Sequence, residues 1–140
     1  MLVWDGAKPD LIADIRALPF QDNYAAEVHA YHVLEHFYRW EVGDVLAEWY
    51  RVLKPGGVLV IELPCLDNII RLISKPGAFV SCRLGLYGEQ KKQLPEMVHK
   101  WCYLKDEMAQ LLAIAGFSRL AMAPPRFHRP ERDMRFEAAK

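Results

Sequence analysis

The sequence predicts an α/β fold, and three observations carry that prediction. Val42, Val45, Leu46, Trp49, Val52 and Leu53 recur at helical spacing on one face. Lys54-Pro55-Gly56-Gly57 then stops the helix, because proline cannot extend the hydrogen-bond ladder and either glycine can take a positive φ. Val58-Leu59-Val60-Ile61 follows without a polar break, the pattern of a strand buried on both faces of a parallel sheet. A helix feeding such a strand is half of a crossover unit.

The other elements are read in order. Leu2-Val3-Trp4 is a short strand closing at Asp5-Gly6, and Asp10–Ile15 is a second short strand candidate. Gln21-Asp22-Asn23 is a turn, since Asp and Asn tolerate such backbones. Glu27–Tyr31 is the next strand. From Leu66 to Ser74, Leu66, Ile69, Ile70 and Ile73 share one helical face, and Lys75-Pro76-Gly77 ends it. Residues 78–98 show no clear period and fit equally a lid or a plain insertion. Lys105–Ala115 is a helix with Asp106 and Glu107 complementing the dipole of its first turn and Gly116 at its C-cap. Phe117–Met122 is a strand, and Asp133–Ala139 a last strand returning antiparallel.

Composition narrows the class of protein. A length of 140 residues suits one domain, and 52% hydrophobic content supports a core. Eighteen basic residues balance 18 acidic ones, so no global field recruits nucleic acid or an anionic membrane. No apolar run approaches the ~20 residues of a membrane span. Cys65, Cys82 and Cys102 are odd in number and form no CxxC pair, which points to reduced thiols and a cytoplasmic setting.

Three stretches, in order, resemble the class I S-adenosylmethionine-dependent methyltransferases of the methyltransferase domain 11 type. They are Ala13-Asp14-Ile15-Arg16-Ala17-Leu18-Pro19-Phe20, His32-Val33-Leu34-Glu35-His36-Phe37 and Arg51-Val52-Leu53-Lys54-Pro55-Gly56-Gly57, with Ala115-Gly116-Phe117 as a weaker fourth. The resemblance implies a three-layer Rossmann-like sheet. It also implies S-adenosylmethionine as cofactor, with Asp5 at the ribose hydroxyls, Asp14 and Ile15 at the adenine, and Tyr31 and His32 at the carboxyl end of a central strand, where ligands of open α/β sheets bind. It names no catalytic residue, since methyl transfer rests chiefly on alignment and water exclusion.

One departure from the family is plain. The family's first strand leads into a glycine-rich loop that lets the backbone approach the cofactor. Here the only early glycine is Gly6. The expectation is a single domain over residues 1–140, N-terminally truncated, without the first strand, glycine loop and first helix. Weak or lost cofactor binding follows, as does a homodimer, or a partner supplying the missing unit, to cover the strand edge thereby opened. The leading function is methyl transfer to a small-molecule acceptor. The competing one is a non-catalytic methyltransferase-derived interaction domain.

His32-Val33-Leu34-Glu35-His36 also fits H-x-x-E-H, an inverted zinc-hydrolase pattern. That chemistry needs both histidines on one helix and a third ligand downstream. The stretch follows directly on a strand and no third ligand motif is evident, so no metal is expected and His36 is read as structural. His99-Lys100-Trp101-Cys102-Tyr103 is read as a packed aromatic edge, and Arg126–Arg132 as a solvated loop rather than a nucleic-acid patch.

Overall fold

The computed structural model describes residues 8–140. The strand expected at Leu2-Val3-Trp4, and Asp5 with it, lie outside these. Among the described residues, four strands form one sheet in the order β1-β2-β4-β3: β1 Ala25–Tyr31, β2 Leu53–Pro64, β3 Ser118–Ala123 and β4 Asp133–Ala139. β1 and β2 run parallel, with Ala30 opposite Ile61, and α1 (Val42–Val52) makes the crossover between them. β4 returns antiparallel to both β2 and β3, as its sequence predicted. Within the described residues β1 is paired on one side only.

The α1 stripe read from the sequence is the buried one. Val42, Val45, Leu46, Trp49 and Val52 are all buried, the first four in one cluster with Leu59, Ile61 and Leu63 of β2 and Met108, Leu111 and Leu112 of α4 (Lys105–Ile114). Each such side chain contributes about 1.5–3 kcal/mol through removal from water. The helix stops where expected, but Lys54–Gly57 is not a separate turn: β2 begins at Leu53, directly off α1. Gly56 takes φ +77°, and its N–H donates to the Lys140 carbonyl at 3.0 Å. Gly116 sits at φ +100° beyond α4, the left-handed position that favours glycine.

Two expectations are corrected. Asp10–Ile15 forms no strand; it is an exposed, irregular segment that turns at Asp14, whose carbonyl accepts from Ala17 N–H at 3.0 Å. Among the described residues its apolar side chains have no strand partner, and Ile15 instead rests on the core. Residues 78–98 are not one loop. After α2 (Leu66–Leu72) comes α3 (Phe79–Tyr87), then a 3-10 turn at Pro95–Met97. α3 buries only Cys82 and Gly85, so it carries no amphipathic stripe to read. Among the described residues, no helix is long and apolar enough to cross a membrane.

Candidate functional site

The carboxyl ends of the parallel strands define the site. β1 stops at Tyr31, and the His32 N–H still donates to the Glu62 carbonyl at 2.8 Å, one residue beyond the strand. His32 then takes φ +54° and turns the chain out of the sheet. That conformation is uncommon for a residue with a Cβ and persists only where its surroundings hold it. A 3-10 turn over Leu34–His36 follows; Leu34 plugs the core and Glu35 is carried inside with it.

Glu35 is fully buried and lies among imidazoles. His32 Nδ1 donates to Glu35 Oε1 at 3.0 Å, and His99 Nε2 lies 4.0 Å from the same oxygen. His32 Nε2 faces Asp133 Oδ2 at 3.5 Å. Burial alone would raise the Glu35 carboxyl, but the His32 hydrogen bond and the imidazoles of His32, His99 and His36 hold it below the usual range. Burial pushes His99 the other way, towards its neutral form. The Glu35 main-chain carbonyl accepts from Lys100 N–H at 2.7 Å, which fixes the segment before α4 beside the 3-10 turn.

A second buried carboxylate closes the site from the other side. Glu62 of β2 accepts from Arg135 Nη1 at 2.8 Å and from the backbone N–H groups of Arg126 and Phe127 at 2.9 and 3.0 Å. Burial again opposes ionisation, and these three donors outweigh it. The clip lays the β3–β4 loop across the strand ends. Phe127 then packs on Tyr31 at 4.4 Å between ring centroids, and His128 on His32 at 4.2 Å. Arg132 is buried, with Nη2 on Asp133 Oδ2 at 2.9 Å. The solvated loop expected over Arg126–Arg132 is thus corrected at its ends: residues 126–128 are fastened to the sheet and Arg132 is inside.

The expected cofactor residues fall into two groups. Tyr31 and His32 share the strand end. The Tyr31 hydroxyl bonds His29 Nδ1 at 2.7 Å, and His29 Nε2 donates to Glu27 at 2.7 Å. Asp14 and Ile15 sit on the separate 14–17 turn. There both Asp14 oxygens accept from Arg16, at 2.8 Å from Nη2 and 3.0 Å from Nε, and Arg16 Nη1 reaches Glu41 at 2.9 Å. The hydrogen bonds from the Arg16 side chain and backbone hold the Asp14 carboxyl at about 2. S-adenosylmethionine fits these residues only in part: Ile15 offers an apolar edge, but the Asp14 carboxylate is already engaged by a guanidinium. The sequence patterns do not mark Glu35, His99, Glu62 or Asp133 as ligand-binding, although Glu35 and His99 lie within the 32–37 and 99–103 stretches.

A parallel β-α-β unit with an antiparallel strand inserted beside it is a Rossmann-like arrangement of the kind seen in methyltransferases. Comparison with known proteins agrees. Residues 5–61 match the family described as methyltransferase domain. Among solved structures, the chain is similar to a SAM-dependent methyltransferase from Archaeoglobus fulgidus (16% identity, TM-score 0.56, covering 86% of this chain and 62% of that one). It is also similar to the 1,6-didemethyltoxoflavin-N1-methyltransferase of Burkholderia thailandensis, solved with S-adenosylhomocysteine (19%, 0.61, 91% and 48%). Human N-acetylserotonin methyltransferase, solved with SAM, is a third (17%, 0.63, 93% and 33%).

 At such identities the likeness is one of fold, and the chain spans between a third and under two-thirds of the length of these three proteins. No curated protein sequence matches it. What the chain shares with these methyltransferases is the fold, and its match to the family model is confined to residues 5–61.

Proposed function

We propose that the chain serves S-adenosylmethionine-dependent methyl transfer to a small-molecule acceptor, with the carboxyl ends of β1 and β2 forming one wall of the reaction site. The observation that carries this reading is the turn at His32. It ends the parallel strand, faces the fastened 126–128 loop and stands over a buried acid–imidazole cluster. Such a wall aligns reactants and keeps water out, which is what a methyl transfer chiefly requires. Cofactor contact through Asp14 is limited, because its carboxylate is held by Arg16.

Titration of the full chain with S-adenosylhomocysteine, followed by calorimetry and by amide NMR, tests this. The expected result is binding much weaker than ~1 μM, with shifts at Ile15, Tyr31 and His32. Tight binding would refute the partial-contact account. Saturating ligand that leaves those three amides unmoved would refute the site itself and favour the non-catalytic interaction domain.

A further inference from the structure

We propose that Glu35, His36 and His99 form a binding site for a divalent first-row transition ion of the zinc type. One ligand atom from each of the three residues lies within 4.8 Å of the others. Both imidazoles are arranged as ligands usually are. His36 Nδ1 donates to the Val98 carbonyl at 3.3 Å and His99 Nδ1 to the Gly85 carbonyl at 2.8 Å, so each ring keeps the lone pair on Nε2. A backbone carbonyl on the far nitrogen is the usual way a metal-binding histidine is fixed in tautomer and orientation. The two rings stand at 85° with centroids 4.8 Å apart.

The independent observation is Glu35. Its side chain is fully buried, and its Oε2 has no hydrogen-bond partner among the described residues. A carboxylate oxygen left bare in the interior costs free energy that a cation would offset. The position of the three residues does not depend on an ion: the Glu35 carbonyl accepts the N–H groups of Lys100 and Trp101, which ties the segment carrying His99 to the turn carrying Glu35 and His36. Ligands on a tetrahedral zinc at ~2.1 Å lie about 3.4 Å apart, so the side chains would draw inwards on binding. Two imidazoles with one carboxylate select a transition ion over calcium or magnesium, which prefer all-oxygen shells.

This donor set differs from the one the H-x-x-E-H pattern suggests. His32 does not share a helix with His36, and its Nδ1 is spent on Glu35, so it positions the carboxylate. The third donor comes from His99, which lies outside that pattern. The proposal therefore departs from the expectation of no metal.

The test is calorimetric titration of chelator-treated full chain with zinc, without any methyl donor. One ion per chain is expected, with affinity falling on the order of 10–100-fold or more in both His36→Gln and His99→Gln and holding in the exposed-site control His29→Gln. No binding, or binding that survives both substitutions, overturns the proposal. Should the variants fail to fold, imidazole ¹⁵N spectra of the unmodified chain decide. Zinc should move Nε2 of two histidines while their Nδ1 stays protonated; movement at other histidines, or at none, overturns it. Neither readout depends on S-adenosylmethionine, so its failure is separate from failure of the methyltransferase reading.

Discussion

Asp14 and Glu62 are both carboxylates held by an arginine, and both titrate below the ordinary range. Their surroundings differ. Asp14 pairs with Arg16 two residues away, with the two side chains 49% and 45% exposed. Glu62 pairs with Arg135 across 73 residues, with side chains 0% and 3% exposed. The first pair is assembled by a turn and stays in water. The second exists only when β2 and β4 are side by side, and each partner has given up its hydration to be there. A lowered carboxyl therefore says little by itself; what the fold has at stake is set by the desolvation behind it.

The sharpest way to probe that contrast is Arg135→Ala. It strands the Glu62 carboxylate inside with only two backbone donors, and a loss of about 3–5 kcal/mol is expected. Urea unfolding measures it, and a loss no larger than that of a surface substitution would place the pair on the solvent side of the comparison. A smaller effect is expected from acid. The folded Glu62 carboxyl titrates below its unfolded counterpart near ~4.3, so the unfolded chain takes up its proton first as pH falls. The stabilisation is complete above that value and drains away as pH drops through the folded one. Melting temperatures of the parent chain and Glu62→Gln should converge on acidification, and a parallel pair of curves would remove Glu62 from the linkage. The smallest effect is expected from Asp14→Ala, which should leave the melting temperature unchanged within error. A drop rivalling that of Arg135→Ala would make the 14–17 turn part of the folding core.

The same contrast explains what the sequence made legible. The α1 stripe, the β2 run and β4 are local patterns, and Val42 to Val52 or Asp133 to Ala139 can be read without knowing what they touch. The end of β1 at Tyr31 was legible too, because a strand end is a local event. α3 was not, since it buries Cys82 and little else beside Gly85, whose missing side chain lets Arg132 pack against it. Asp10–Ile15 misled because apolar residues suggest a strand even where no neighbouring strand receives them. Glu62 is one acid in an apolar run, and only Arg135 from the far end of the sequence gives it meaning. His99 lies 64 residues from Glu35 by number, and its nearness to it is a product of the Lys100 hydrogen bond to the Glu35 carbonyl.

The sheet order carries a consequence for how the molecule comes to exist. β4 follows every other strand in sequence and yet lies between β2 and β3. During synthesis, β2 is therefore made with one flank open and must wait for its neighbour while some seventy further residues emerge (roughly 4–14 s at 5–20 residues per second). Through that interval Val58–Leu63 presents unpaired backbone on an apolar strand, the kind of edge that captures other chains. The nascent chain's vulnerability is thus concentrated in a period rather than in a place, and it ends when Asp133–Ala139 slides in.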